Sequence, residues 1–485
     1  MSTERLTDGA AEPSASAWLE RLGRRECSSR ELAQRCLERI EAADRVVNAV
    51  AERRDDEVLA AADAADRARA RGSQQPLLGL PLTIKDCLDV RGWRTAAGSL
   101  ARRDHRAGGD ATVVARLRAA GAITVAKTNV PECCCSFETD NLLCGRTENP
   151  LDGARTPGGS SGGEAALLGA DASIAGIGSD GGGSIRVPSH YCGLAGIRPT
   201  VGRTPETGSW PSTRAAGTMD FTCIGPLARH VEDLDLLLRA IAGADGIDPY
   251  AVDQPLPRWR PEAVASLRVG FYVDHPRVPR TTAATAAAVR TAAAALEHAG
   301  ARVEEVDPPD TGADVDGRSA TELFFDAAGA DGGASLRRAV AAAAGRHHPQ
   351  FAALLGEPGT PPTAEAFFQT QRRCFAYRAR VREAFALHDL ILSPVVAGPA
   401  PPHGVPPAGI ELDRYMRYEA FEYVHVNAIA GVPAASIPVA VEERMPLGVQ
   451  VAAAPFREDR VLAAAATLEQ AFGGFAINRR LAGAR

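Results

Sequence analysis

Two glycine-walled serine clusters constrain this chain more than any other feature: Gly158-Gly-Ser-Ser-Gly-Gly163 and Gly181-Gly-Gly-Ser184. Glycine lets backbone approach backbone, or a ligand approach backbone N–H groups, and it loses more chain entropy on folding than other residues. Two such loops close in sequence therefore ask for a functional reason. Between them runs a small-residue, apolar stretch with one acid at its start, Glu164. It reads as a buried helix that fixes the spacing of the serines. The segment Arg155 to Pro199 holds all of this, and the remaining chain is read as its support.

At 485 residues the chain is long enough for a large core. Helical and strand-like stretches alternate, which points to parallel βαβ units and an α/β fold. A capping box at Ser28 and Glu31 opens a helix over about 28–44, with Leu32, Cys36, Leu37 and Ile40 on one face. An Ala-rich helix follows at about 55–71. Leu80, Leu82 and Ile84 form a buried strand that runs into Lys85 and Asp86. A helix over 112–120 leads to a strand at 122–126, and residues 127–154 show no period. Further on, helices are expected at 229–243, 281–300, 411–430 and 459–472, with strands at 267–273, 301–306, 390–392, 434–441 and 447–453. Residues 1–17 read as a loose arm and 204–222 as a loop. Residues 310–386 read as helical, polar and aromatic-bearing. Glycine and proline boundaries are evenly spread, so one domain over 1–485 is favoured over a split.

Charge excludes some classes. The formal net charge is −6 and no basic stripe is present, which argues against nucleic acid as a partner. No apolar run reaches the roughly 18 residues of a membrane span, and the first residues lack a secretory apolar stretch. The 10 cysteines include the run Cys133-Cys134-Cys135 but no C-x-x-C pair, so reduced thiols in a cytoplasmic protein are expected. His347-His348 is the only adjacent histidine pair, and neither a metal nor a cofactor is called for.

Three chemistries fit the serine segment. A glycine-rich loop opening a helix can cradle phosphate, but no G-K-[ST] follows, and Glu164 puts a negative charge where the anion would sit. Gly159-Ser-Ser-Gly-Gly163 also satisfies G-x-S-x-G, yet that nucleophile elbow needs an apolar strand before it, and Ala154-Arg-Thr-Pro157 stands there.

Third, the segment resembles the amidase signature family. The matching residues are Gly158 to Glu164, Gly178-Ser-Asp-Gly-Gly-Gly-Ser-Ile-Arg186, Pro188 and Gly193 to Thr200. The likeness extends to Gly79-Leu-Pro-Leu-Thr-Ile-Lys-Asp86, Lys127-Thr-Asn129, Gly145 to Pro150, Ile224 to Arg229, Asn427 to Pro433 and Leu447 to Gln450. The resemblance implies an amidase signature fold, a large mixed sheet covered by helices on both faces. It implies a catalytic core at 76–230, after an N-terminal helical part at 1–75 and before a variable substrate-pocket insert at 310–386. It also implies a Ser–cis-Ser–Lys triad, with Ser184 as nucleophile, Ser160 as bridge after a cis Gly159–Ser160 peptide bond, and Lys85 as base. Gly181, Gly182, Gly183 and Ser184 would supply an oxyanion hole. The family often carries threonine where Ser179 stands and a residue other than glycine at Gly181.

Around this triad Asp180 and Arg186 are expected to pair and hold the loop, with Ser161 in support. Cys134 and Cys135 are expected beside the substrate, doing no covalent chemistry. His190, six residues from Ser184, is read as a packing or pocket residue rather than a base. The implied partner is a small-molecule amide, ester or carbamate, including anilides and urethanes, handled by a monomer or homodimer. The alternative is the glutaminase-type component of a tRNA-dependent amidotransferase, which works within a complex. Against it, Glu164 stands where those components usually carry a small residue.

Overall fold

The computed structural model describes residues 13–212, 220–311, 317–356, 362–405 and 419–483. Eleven strands form one mixed sheet: β1 (Val50–Glu52), β2 (Pro81–Lys85), β3 (Ile123–Thr128), β4 (Ala175–Asp180), β5 (Ala195–Arg198), β6 (Cys223–Ala228), β7 (Arg268–Phe271), β8 (Arg302–Glu305), β9 (Leu390–Pro394), β10 (Ala434–Glu442) and β11 (Met445–Ala453). Their spatial order is β1-β3-β2-β4-β6-β5-β10-β11-β9-β7-β8. Strands β3, β2 and β4 run parallel, as do β8, β7 and β9, while the strands between them pair antiparallel. Every residue of β2, β4, β5 and β6 is buried. Side chains alternate across a sheet, so unbroken burial means that helices cover both faces.

The helices begin where their chemistry says they should. Ser28 and Glu31 cap Ser29–Val47 reciprocally, with Glu31 N–H donating to Ser28 Oγ at 3.1 Å and Ser28 N–H to Glu31 Oε2 at 2.7 Å. Leu32, Cys36, Leu37 and Ile40 are buried on its inner face. The insert supplies helices Ala320–Ala328, Ala334–Val340, Pro349–Leu355 and Ala364–Leu387.

One expectation needs correction, and two strands went unread. Residues 15–17 are not part of a loose arm, because Ser14 caps a helix over Ala15–Gly23. Strand β6 was hidden by Gly225-Pro226, since proline inside a strand argues against that assignment. It is nonetheless enclosed between β4 and β5, with Pro226 opposite Ile177. The short edge strand β1, three residues long, carried no readable alternation. The helix expected at 411–430 is seen as Glu422–Ala430, and 411–418 lie outside the described residues.

Candidate active site

Lys85 ends β2, and strand register sets what it meets. Thr83 lies opposite Gly176 and Ile84 opposite Ile177 in the parallel β2–β4 pair, so Lys85 comes level with the last residues of β4. Its amine contacts Ser179 Oγ at 2.9 Å and the Ser179 carbonyl at 3.3 Å. A third contact, at 2.7 Å, reaches Ser160 Oγ across 75 residues of chain. This crevice lies beyond the carboxyl ends of parallel strands, where open α/β sheets place their ligands.

Thr83 shares a face of β2 with Lys85, and its hydroxyl donates to Glu164 at 2.6 Å. Thr128 of β3 donates to the other Glu164 oxygen at 3.0 Å. Glu164 thereby pins the first turn of the buried helix Gly162–Gly169 over the ends of β2 and β3. Burial pushes its carboxyl up to about 8 against the two threonine bonds. Gly163 permits the close approach, since a Cβ there would stand 2.5 Å from the backbone N and O of Asn129. The Gly159–Ser160 peptide bond is cis.

The two serine clusters touch. Ser161 N–H donates to the Ser184 carbonyl at 3.1 Å, and Ser161 Oγ to the Ser179 carbonyl at 3.3 Å. Ser161 thus ties its own loop to the end of β4. Lys85 and Ser160 are buried, whereas Ser184 keeps part of its surface open.

Asp180 organises the turn that carries Ser184. It accepts from Gly183 N–H at 2.7 Å, Ile185 N–H at 3.2 Å, and Arg186 Nε and Nη2 at 3.0 and 3.1 Å. Arg198 adds its Nη1 at 3.5 Å. Burial alone would raise this carboxyl, but the Arg186 and Arg198 guanidiniums outweigh it and hold the group well below the usual carboxylate range. Arg186 continues to Gln450 Oε1 and the Val424 carbonyl, both at 2.9 Å. One expected oxyanion donor is therefore corrected: the Gly183 N–H is committed to Asp180. The N–H groups of Gly181, Gly182 and Ser184 have no acceptor among the described residues. Gly183 has φ +121°, and a Cβ on it would meet Val424 Cγ2 at 2.5 Å.

His190 does not line a pocket. It is 0 % exposed, with Nδ1 taking the Gly448 N–H at 2.7 Å and Nε2 facing the Gly398 carbonyl at 3.0 Å. Burial depresses its imidazole to about 4, so it is a neutral packing residue between two backbone segments. Cys134 and Cys135 keep part of their surface open. The Cys135 thiol donates to the Cys133 carbonyl at 3.2 Å, and burial pushes it up to about 12. Helices of the insert close over this run. Phe351 and Val340 pack against Cys133, and Glu132 meets His347 Nδ1 at 2.9 Å.

Sequence reasoning passed over several residues. Ser179 was noted only as a substitution for threonine, yet it is the second hydroxyl on Lys85. Arg198, inside Gly196-Ile-Arg-Pro199, is the second cation on Asp180. Cys87, two residues after Lys85, reaches Ser179 Oγ at 3.7 Å. His425 is fully buried, with Nδ1 at 2.8 Å from Thr321 Oγ1 and Nε2 without a partner. That ring stacks on Phe324 of the insert at 4.6 Å, and both border Gly182. Strand register could have located Ser179; nothing local marks His425.

Among the described residues, His275, Asp310 and Glu422 could hold a metal ion. His275 Nδ1 takes the Arg277 N–H at 3.3 Å, and its Nε2 lies 3.0 Å from Asp310 Oδ1.

The chain belongs to the amidase family, whose model matches residues 31–462. It is an amidase in class, an enzyme that hydrolyses carbon–nitrogen bonds. It is 33% identical over 471 residues to one component of the glutamyl-tRNA(Gln) amidotransferase of Chromohalobacter salexigens, covering 92% of this chain and 94% of that one. It is 33% identical over 454 residues to an indoleacetamide hydrolase of Bradyrhizobium diazoefficiens, covering 92% and 84%. The solved structure of a bacterial aryl acylamidase of the amidase signature family superposes with a TM-score of 0.86 at 23% identity, covering 97% and 98%. That last likeness concerns the fold alone.

Proposed function

We propose that this chain hydrolyses carboxylic amides through an acyl-enzyme on Ser184. The observation that carries the reading is the 2.7 Å contact between Lys85 Nζ and Ser160 Oγ, formed within one chain. A serine hydroxyl attacks only when a base takes its proton, and a lysine can take one only when neutral. A neutral amine has two N–H groups and one lone pair. With two N–H groups turned to the Ser179 hydroxyl and carbonyl, 2.9 and 3.3 Å away, the lone pair is left to take the Ser160 proton across the 2.7 Å between Nζ and Oγ. Ser160 in turn accepts the proton of Ser184 as its oxygen attacks the carbonyl. The C–N bond breaks, and the proton returns through Ser160 to the leaving amine. Water then releases the acid by the same route.

The developing oxyanion is taken by the unpaired N–H groups of Gly181, Gly182 and Ser184, each donor worth about 3–4 kcal/mol in such sites. Asp180 with Arg186 and Arg198 holds that turn in place. The partly open thiols Cys134 and Cys135 and the insert over 310–386 border the substrate. Carboxamides, anilides, esters and urethanes are the substrates to test. Ten free cysteines suit a reducing, cytoplasmic setting.

A second reading is favoured by the names of the relatives, among which the same component of glutamyl-tRNA(Gln) amidotransferase recurs. On that reading the same site is the glutaminase of a larger complex. The two share their chemistry and differ in substrate and partner. A panel of acetanilide, indoleacetamide, a long-chain amide, an aryl carbamate, an ester and glutamine, assayed on the chain alone, separates them. Turnover of the small amides alone supports the stand-alone enzyme. Glutamine turnover that appears only with copurified partner proteins overturns it. Retained activity in Ser184→Ala sinks the nucleophile assignment, and Lys85→Ala should lower kcat by at least about 10²-fold.

A further inference from the structure

Two of the glycines before Ser184 are demanded by different things. Gly183 needs its left-handed φ of +121°. The φ of Gly182 lies outside that region, so its backbone would accept a side chain. What excludes one is the space around it. A Cβ on Gly182 would stand 2.7 Å from Phe324 Cε2 and 2.9 Å from both Cδ2 and Nε2 of His425.

These two rings stack, with 4.6 Å between centroids and 24° between planes. Phe324 comes from the insert, on helix Ala320–Ala328, and His425 from helix Glu422–Ala430. The two helices are tied at their starts. Glu422 takes the Ala320 and Thr321 N–H groups on its two oxygens, each at 2.8 Å, and Thr321 Oγ1 lies 2.8 Å from His425 Nδ1. A phenylalanine could fill the place of His425 without leaving a buried Nε2 unpaired, so packing alone does not account for the imidazole. The contact with Thr321 does, because it fixes the angle of the ring over Gly182. Asp180 holds the turn at Gly183 and Ile185, whereas no hydrogen bond among the described residues fixes the Gly182 N–H.

We infer that Phe324 and His425 are positioning residues, a stacked pair that presses on Gly182 and keeps the N–H donors of the turn aimed where the oxyanion forms. The inference rests on the acyl-enzyme reading of this site. It gives the insert a part in the chemical step as well as in substrate choice. Such donors act on the tetrahedral state more than on the bound amide. Loosening the pair should therefore lower kcat and leave KM nearly unchanged, whereas contacts that only bind substrate act on KM.

The test uses two readouts on the folded chain. One is labelling by a fluorophosphonate: the Ser184 oxygen attacks phosphorus, fluoride leaves, and the phosphoryl oxygen takes the place of the oxyanion. Its maximal rate is read separately from the probe concentration at half-maximum, and no known substrate is needed. The other is kcat and KM on any amide of the panel that is turned over. Phe324 is partly open, so Phe324→Ala is the variant to make, with its fold checked by circular dichroism. Phe368→Ala removes an insert ring that is 64 % exposed and serves as control. Phe324→Ala should lower the maximal labelling rate and kcat by about 10- to 100-fold, with KM and half-maximum within about twofold of wild type, and the control should match wild type. Gly182→Ala should also be slow, but should cost less when added to Phe324→Ala, because the missing ring makes room for the new Cβ. Thr321→Val keeps the shape and frees the imidazole, and should lose a smaller factor of the same kind. A wild-type rate in Phe324→Ala, a loss confined to KM, or strictly additive losses with Gly182→Ala overturns the positioning role. A wild-type rate in Thr321→Val overturns the tether. A wild-type chain that takes no label, or a label that survives Ser184→Ala, overturns the reading of the site itself, and the positioning role with it.

Discussion

Asp180→Asn is the substitution whose effect can be worked furthest from the structure. The carboxylate takes five donors: the N–H groups of Gly183 and Ile185, two nitrogens of Arg186 and one of Arg198. An amide keeps one acceptor oxygen. With that oxygen in the Oδ1 position, Gly183 and the two Nη contacts survive. The amide NH2 then faces Ile185 N–H and Arg186 Nε, which stood 3.2 and 3.0 Å from Oδ2. Two bonds become donor–donor contacts, and two buried guanidiniums lose their counter-ion. A hydrogen bond to a charged group is worth about 1.5–3 kcal/mol. Stripping one partner from a buried ion pair costs about 3–5 kcal/mol, a figure that already includes such bonds. The expected destabilisation is therefore about 3–5 kcal/mol, or about two to four powers of ten in the folded-to-unfolded ratio.

The measurement is the urea midpoint by far-UV circular dichroism, with kcat on a chromogenic anilide beside it. A chain of this length need not unfold in two states, so midpoints are compared rather than extrapolated energies. The pH dependence adds a second check. A carboxyl held low when folded stabilises above its unfolded value and loses that contribution only as pH falls through the folded one. For Asp180 the folded value lies below the usual carboxylate range. The gap between wild type and variant should thus stay constant from about pH 8 to about pH 5. A variant with the wild-type midpoint and rate refutes the counter-ion role.

Other expectations follow from the same geometry. The Glu164 carboxyl, pushed up to about 8 from its ordinary 4.5, keeps a proton that the unfolded chain releases, so its contribution is full below pH 4.5 and lost as pH rises to about 8. Glu164→Gln should flatten that fall in a midpoint-against-pH series, and an unchanged slope would count against the assignment. His190 and His425 are depressed by burial to about 4 and about 3, so the unfolded chain binds protons below 6.5 that the folded chain refuses. The wild-type midpoint should drop as pH falls from 6.5 toward 4, and a flat profile there would contradict the burial of both rings. Gly163→Ala brings a Cβ within 2.5 Å of the Asn129 backbone, which cannot yield as a side chain would. It should lift the Ser160 loop off Lys85 and lower kcat by about 10²-fold or more, and a wild-type rate would show that the loop is held by other contacts.

Local chemistry was readable wherever it repeats or caps. The Ser28–Glu31 box and the apolar stripe after it placed the helix Ser29–Val47 to within a few residues. The pairing of Asp180 with Arg186 could be expected because both charges flank a loop that must be buried. By contrast, β6 was obscured by its own proline, and β1 was too short to show alternation. Its pairing partners, not its residues, make β6 a strand.

By itself the sequence determined the inventory: two glycine-walled serine clusters, a lysine at the end of an apolar strand, and an α/β alternation able to hold them. Those are properties of neighbouring residues, and short-range physics writes them along the chain. Only the tertiary structure decided which groups meet. The register of β2 against β4 put Lys85 beside Ser179 as well as Ser160. It placed Cys87 beside Ser179, turned His190 away from solvent between Gly398 and Gly448, and committed the Gly183 N–H to Asp180. Such contacts join residues tens to hundreds of positions apart. Their geometry depends on strand order and on which faces are buried, and those are settled by packing of the whole sheet.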